Sequence, residues 1–147
     1  MDDTNITTDD RLRGMIWGQL VGDAAALGSH WIYNLSELEA AYPNGIHGFE
    51  TPKAGHYHAG KSPGDFTHYG DAAVILLQSI ASCGRFEAIH FGNQFIETMA
   101  PGKYSGYIDH ATRGTQLGIH AIPELWRSRL KDHDRIHDWV EAIVSLA

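Results

Sequence analysis

Apolar residues in this chain return at intervals of three and four, and nowhere is the two-residue alternation of a half-buried strand sustained. That pattern restricts the fold to helices. Leu12, Ile16, Leu20 and Ala24 share one side of a first helix, which opens with Thr8 or Asp9 as its cap. Ser36-Glu37-Leu38-Glu39 has the form of a capping box, with Ser36 as cap, and Pro43 stops the short helix that follows. The spacing predicts further helices from about Gly70 to Ser82 (stopped at Gly84) and from Phe86 to Ala100 (stopped by Pro101-Gly102). Two more are expected over Ile108 to His120 and Asp132 to Leu146, the last with Ile136, Val140, Ile143 and Val144 on one face. The expected class is all-α, as one domain over residues 1–147 with a disordered tail at 1–8.

Gly14, Gly18 and Gly22 recur every fourth residue and line one stripe of the first helix. Such a stripe predicts close approach of another helix, since each glycine costs about 1 kcal/mol of helix propensity relative to alanine. A long loop from Pro43 to Asp65, with five glycines and three prolines, is expected to be functional or mobile.

Charge and composition exclude several classes. The 147 residues are 43% hydrophobic and 20% charged, ordinary for a globular protein, so disorder of the bulk is not expected. A net charge of −7 leaves no basic footprint for nucleic acid. The acidic, polar start carries no secretory leader pattern, and the longest apolar run, Ala72 to Leu77, is too short to span a membrane. A cytoplasmic address is the expectation. The single cysteine, Cys83, reads as a half-buried thiol at a helix end.

Gly55-His56-Tyr57-His58-Ala59-Gly60-Lys61-Ser62 satisfies every fixed position of the phosphate-loop formula. Its surroundings do not: the preceding residues make a poor strand, and Pro63-Gly64 stand where the phosphate-binding helix would run. It reads as a chance match. His56 and His58 would face the same way in an extended segment and could share a zinc ion, but no third ligand stands at a recognisable spacing. Local hydrogen bonding is the commoner fate of such histidines.

Three stretches carry a resemblance. The first is Gly18-Gln19-Leu20-Val21-Gly22-Asp23-Ala24-Ala25-Ala26-Leu27-Gly28 with Ser29-His30-Trp31-Ile32-Tyr33; the second is Pro63-Gly64-Asp65-Phe66-Thr67-His68-Tyr69-Gly70-Asp71. The third runs from Tyr104-Ser105-Gly106-Tyr107 through Ile108-Asp109-His110-Ala111 to Thr115. In this order and spacing they resemble the ADP-ribosylglycohydrolase family over roughly residues 11 to 120, and the His30-Trp31-Ile32-Tyr33 run is similar to its crystallin J1-like branch. The resemblance implies an orthogonal helical bundle and metal-assisted cleavage of a glycosidic bond to ADP-ribose. It also implies magnesium ions between the helices, and an ADP-ribose-like small molecule or ADP-ribosylated substrate as partner. Hard Mg²⁺ suits carboxylate and hydroxyl oxygens, and a pair of ions can orient a diol and polarise water.

Carried over by residue, the resemblance makes Thr67 and Asp71 metal ligands and Asp71 and Asp65 the catalytic carboxylates. Asp23, His30, Tyr69, Tyr107, Asp109 and His110 become substrate-binding. The match has gaps. Gly70 or Tyr69 stands in place of the metal motif's second acid, His30-Trp31 replace the acid after the first helix, and nothing from Ile119 to Ala147 resembles the later aspartate-rich motif. The chain therefore reads as an incomplete copy of the fold. The alternatives are a catalytically inactive crystallin J1-like structural or ligand-binding domain, or one part of a longer enzyme. An uncovered apolar face would then favour a homo-oligomer. Asp23 poses a physical problem of its own: an anion near a helix C-terminus opposes the macrodipole, so it requires a partner, Arg113 or a backbone donor.

Overall fold

A computed structural model describes residues 6–145, with the side chains of His110 and Gln116 outside the description. Its first helix, α1 (Thr8–Ala26), is capped by Thr7. The Thr7 hydroxyl accepts from the Asp10 N–H at 3.1 Å, and the Asp10 carboxylate accepts the Thr7 N–H at 3.1 Å. The expected cap at Thr8 or Asp9 is thus displaced by one or two residues, because only Thr7 has an acid three positions on that closes the reciprocal pair. Of the tail expected at 1–8, residues 1–5 lie outside the described residues.

In α2 (Leu35–Ala41) the cap is Asn34, not Ser36. Asn34 is extended, and its side-chain oxygen accepts from the Ser36 and Glu37 N–H groups at 2.9 and 3.4 Å. Ser36 already lies inside the helix. The helix α3 (His68–Cys83) ends on Gly84 at φ +71°, a left-handed position that glycine occupies without penalty. After α4 (Ala88–Thr98) come α5 (His110–Leu117), a 3-10 turn (Ile119–Ala121), α6 (Glu124–Arg127) and α7 (His133–Val144). The helix expected over Ile108 to His120 is shorter than the periodicity suggested, since Gly118 at φ +75° breaks it. Among the described residues there is no strand, so the chain is all-helical as expected.

The helices fall into two compact units, Met1–Ile108 and Asp109–Ala147. In the first, α3 packs on α4 and on α1. Ile75, Phe95 and Met99 are buried between α3 and α4, with Ala72, Phe91 and Tyr104 around them. Buried Ser79 on α3 bonds His90 Nδ1 on α4 at 2.8 Å. At the end of α1, Ala24 and Leu27 are buried, and the Tyr42 hydroxyl donates to the Gly28 carbonyl at 2.6 Å. A Cβ on Gly28 would stand 2.7 Å from that hydroxyl, so only glycine fits there.

The body of α1 is different. Leu12, Met15, Trp17 and Val21 are exposed, and a Cβ at Gly14, Gly18 or Gly22 would meet nothing within 4 Å. The expected close helix approach along this stripe is therefore not made within the described chain. The hydrogen bonds between α1 and the start of α3 are made by Asp23, in the last turn of α1. In the second unit, Ile136 and Val140 of α7 line a recess of about 130 Å³ with Ile119 and Leu130, while Ile143 and Val144 are exposed. No described helix is long and apolar enough to cross a membrane.

Candidate functional site

The corner where α1 ends and α3 begins holds buried, mutually bonded polar groups. Thr67 is 2% exposed and caps α3, its hydroxyl accepting from the Tyr69 N–H at 3.1 Å. The same hydroxyl donates to Asp23 Oδ1 at 2.6 Å, while the Thr67 N–H donates to Asp23 Oδ2 at 2.7 Å. This geometry answers the question posed by Asp23. The carboxylate lies at the wrong end of its own helix but at the N-terminus of α3, where the macrodipole and a backbone donor both favour an anion.

Gly70 is the third member of the corner. A Cβ there would fall 2.3 Å from Asp23 Oδ2 and 2.7 Å from the Phe66 Cβ. The absence of a second acid beside Asp71 thus has a local cause: any side chain at position 70 would collide with the Asp23 carboxylate.

One turn into α3, Asp71 faces a different set of partners. Lys61 Nζ donates to Asp71 Oδ2 at 2.7 Å and the Tyr104 hydroxyl donates to the same oxygen at 2.6 Å. Lys61 also reaches the Tyr104 oxygen at 3.3 Å and lies 5.0 Å from the centroid of its ring. Gly106 leaves room for this packing, since a Cβ there would stand 3.2 Å from the Lys61 Cε. Burial pushes the Tyr104 phenol well above its ordinary range, reinforced by its hydrogen bond to Asp71 and by the Asp71 and Asp23 charges. It remains a proton donor at every physiological pH.

Lys61, Asp71 and Tyr104 form part of the wall of a cavity of about 500 Å³, which Asp65, Phe66 and Lys103 also line. That volume suits a small molecule. Asp65 is exposed; its side chain accepts the Ser62 N–H at 2.7 Å and its own N–H donates to the Ser62 carbonyl at 3.0 Å, a reciprocal pair that closes the turn leading into α3. Lys61 belongs to the stretch that satisfies the phosphate-loop formula. Among the described residues no strand precedes this stretch and α3 begins only at His68, so the formula lacks its structural context here.

On another side of the corner stands a wall of imidazoles and aromatic rings. Trp31 holds φ +67°, a sparsely populated conformation for a bulky residue, which costs about 1–3 kcal/mol. Its ring stacks on His30 at 4.2 Å and meets Tyr57 and Tyr107 edge-on at 5.1 and 5.0 Å. Trp31, Tyr33, Tyr57 and Tyr107 surround an open recess of about 390 Å³. His56 Nε2 donates to the His30 carbonyl at 2.5 Å, and its Nδ1 accepts the His58 N–H at 3.1 Å. His30 Nδ1 and His58 Nε2 share a hydrogen bond at 2.9 Å.

His58 is 1% exposed and its Nδ1 is buried without a hydrogen-bond partner among the described residues. Burial, first of all, drives its pKa down to about 4, and neighbouring His30, His56, His68 and Lys61 push the same way. Burial also lowers His30, an effect that the Asp23 carboxylate partly offsets.

The sequence-predicted residues are thus distributed unevenly. Asp65 and Asp71 line one cavity; Asp23 and Thr67 are locked to each other; His30, Tyr69 and Tyr107 belong to the aromatic wall, Tyr69 with its ring 3.9 Å from that of His68. Asp109 lies in the second unit, where its side chain accepts the Thr112 N–H at 2.8 Å and caps α5. The His110 side chain lies outside the described residues. The sequence offers Lys61 and His58 only within the phosphate-loop and zinc patterns, and Tyr104 and His68 only as members of the stretches that carry the resemblance. For His58 and His68 the further signal is the density of histidine and aromatic residues from His56 to Tyr69.

Among the described residues, no three of histidine, cysteine, aspartate or glutamate are grouped so as to hold a metal ion. The oxygens expected to serve as ligands are committed elsewhere. Asp71 Oδ2 carries an ammonium and a phenol, and the Thr67 hydroxyl lies inside its cap, donating to Asp23. The donor set does not fit the magnesium pair that the resemblance implies.

In comparison with known proteins, residues 4–116 match the sequence profile described as ADP-ribosylglycohydrolase. Neither a curated protein sequence nor a solved structure matches the chain.

Proposed function

Since the chain belongs to the ADP-ribosylglycohydrolase family, we propose that its first unit takes an ADP-ribosyl group into the cavity beside Asp71 and cleaves the glycosidic bond at its ribose. The observation that carries this reading is the composition of the cavity wall. Two ammonium groups, Lys61 and Lys103, and two carboxylates, Asp65 and Asp71, line a space of about 500 Å³. Ammonium groups complement a diphosphate, and carboxylates complement ribose hydroxyls and the positive charge that develops at the anomeric carbon.

Both Lys61 and Tyr104 bond to Asp71 Oδ2, and Oδ1 takes no hydrogen bond among the described residues. In the proposed step Oδ1 accepts from a ribose hydroxyl and stabilises the oxocarbenium-like transition state. Asp65 takes a proton from the water that adds to the anomeric carbon. The bond to the leaving group breaks with its electron pair on that group, which is protonated in turn from Asp65 or solvent.

One observation favours a second reading, a crystallin J1-like domain that binds such a ligand without turning it over. Lys61 and the Tyr104 hydroxyl both hold Asp71 Oδ2, tying that oxygen to the cavity wall rather than leaving it open to a ligand. Calorimetry with ADP-ribose, together with a hydrolysis assay on ADP-ribosylated arginine and serine peptides, separates the two. Binding with release of ADP-ribose, lost in both Asp71→Asn and Asp65→Asn, upholds the hydrolase. Binding without release selects the second reading, and absence of binding overturns both.

A further inference from the structure

We propose that the Lys61 ammonium is the resident cation of this site, so that the cavity binds its ligand without a divalent ion. The inference takes the proposed cavity as its setting but rests on side-chain geometry alone, and it holds whether or not the ligand is turned over.

Four observations carry it. Lys61 Nζ lies 2.7 Å from Asp71 Oδ2, and the lysine side chain is only 11% exposed, so its charge is seated in the wall. A half-buried ammonium held against a carboxylate, a phenol oxygen and a ring face has its positive charge balanced and its hydrogen bonds directed. A divalent ion on the same carboxylate oxygen would have to displace both Lys61 and Tyr104.

The neighbouring oxygens are unavailable in the same way. Asp23 accepts from Thr67 on both oxygens, and the Thr67 hydroxyl spends its proton on Asp23 while accepting the Tyr69 N–H. Position 70 cannot regain an acid, because a Cβ would stand 2.3 Å from Asp23. Mg²⁺ sites require several hard oxygens in near-octahedral arrangement, and among the described carboxylates of this cavity and corner only Asp71 Oδ1 and the exposed Asp65 Oδ1 take no hydrogen bond. A monovalent cation on a side-chain tether meets the electrostatic need of one carboxylate with no such arrangement. It also supplies three N–H donors, two of which are used here, so the third can reach a ligand oxygen.

The test uses Mn²⁺ as a paramagnetic probe of the full chain, read by selective broadening of the Thr67, Gly70 and Asp71 amide resonances. In the wild-type protein at stoichiometric Mn²⁺ these amides stay sharp. In Lys61→Ala they broaden, and the apparent Mn²⁺ affinity at this corner rises by about tenfold or more, since one uncompensated carboxylate is then exposed to the ion. Where Lys61→Ala fails to fold, Lys61→Met supplies the second arm, because its chain still covers the Tyr104 ring. Selective broadening in the wild type at stoichiometric Mn²⁺ overturns the proposal. So does a folded Lys61 variant that gains no ion, since Lys61 would then not be what fills the position. A failure to bind ADP-ribose leaves these readouts unchanged and counts against the proposed function alone.

Discussion

Gly18 in α1 and Gly70 in α3 are both glycines inside a helix, and their surroundings are opposite. Around Gly18 an added Cβ meets nothing; at Gly70 it meets a carboxylate, its carbon and a phenylalanine within 2.7 Å. The same contrast separates the two ends of α1. Its body exposes Met15 and Trp17 at 63% and 67%, whereas its last turns bury Ala24 and Leu27 and deliver Asp23 to the start of another helix. Identical residue types therefore have no fixed meaning in this chain. Proximity to the α1–α3 corner decides what each one does.

Breaking the tight side of the comparison has the largest expected effect. Gly70→Ala forces apart Asp23 and Phe66, and overpacking of that kind outweighs the gain in helix propensity; a loss of about 3 kcal/mol is expected in urea melts. Asp23→Asn comes next. The amide can accept from only one of the two Thr67 donors and turns an N–H toward the other, costing about 2 kcal/mol. Asp23→Asn should also broaden the α3 N-terminal amides in hydrogen exchange, which a loss elsewhere in the fold would not do selectively.

Acidification sharpens the comparison from the buried side. The folded pKa of His58 lies near 4, below the ordinary value of 6.5, so between these values the unfolded chain binds the proton that the folded one refuses. Stability is fully present above about pH 6.5 and is lost as the pH falls toward 4. His58→Gln removes this contribution. Between pH 7 and 4.5 the wild type should lose about 1–2 kcal/mol more than the variant, as measured by melts at both pH values. Equal losses would show that His58 is hydrated in solution. The smallest effect is on the open side: Gly18→Ala should stabilise the chain by about 0.5–1 kcal/mol, since propensity is gained with no contact disturbed. A destabilised Gly18→Ala would mean that something packs on the α1 stripe in solution.

Much of the site was legible as a set of positions but not as an arrangement. Asp71, Thr67 and Asp65 enter as candidates through the family resemblance, which supplies positions at a helix start and in its entering loop but no partners. Lys61 was visible only as the fixed lysine of a phosphate-loop formula that its surroundings contradicted, and Tyr104 only as the start of a glycine-containing segment. Their meeting at Asp71 joins residues 10 and 33 positions away, a separation that no local pattern encodes. The capping residues show the same limit on a smaller scale. Ser36 and Asn34 both suit a cap, and the choice fell to Asn34 because the extended backbone there aimed its oxygen at two free N–H groups.

Helix after helix, and the stops at Gly84 and Pro101-Gly102, follow from the sequence by itself, because three- and four-residue periodicity and the backbone limits of glycine and proline act within a few residues of chain. So does membership of the family, which rests on short ordered motifs. Which charges meet was decided only by the tertiary structure. Electrostatic partners are set by distance in space, so a carboxylate disfavoured at the end of α1 becomes favoured at the start of α3, and a loop lysine becomes the cation of a cavity.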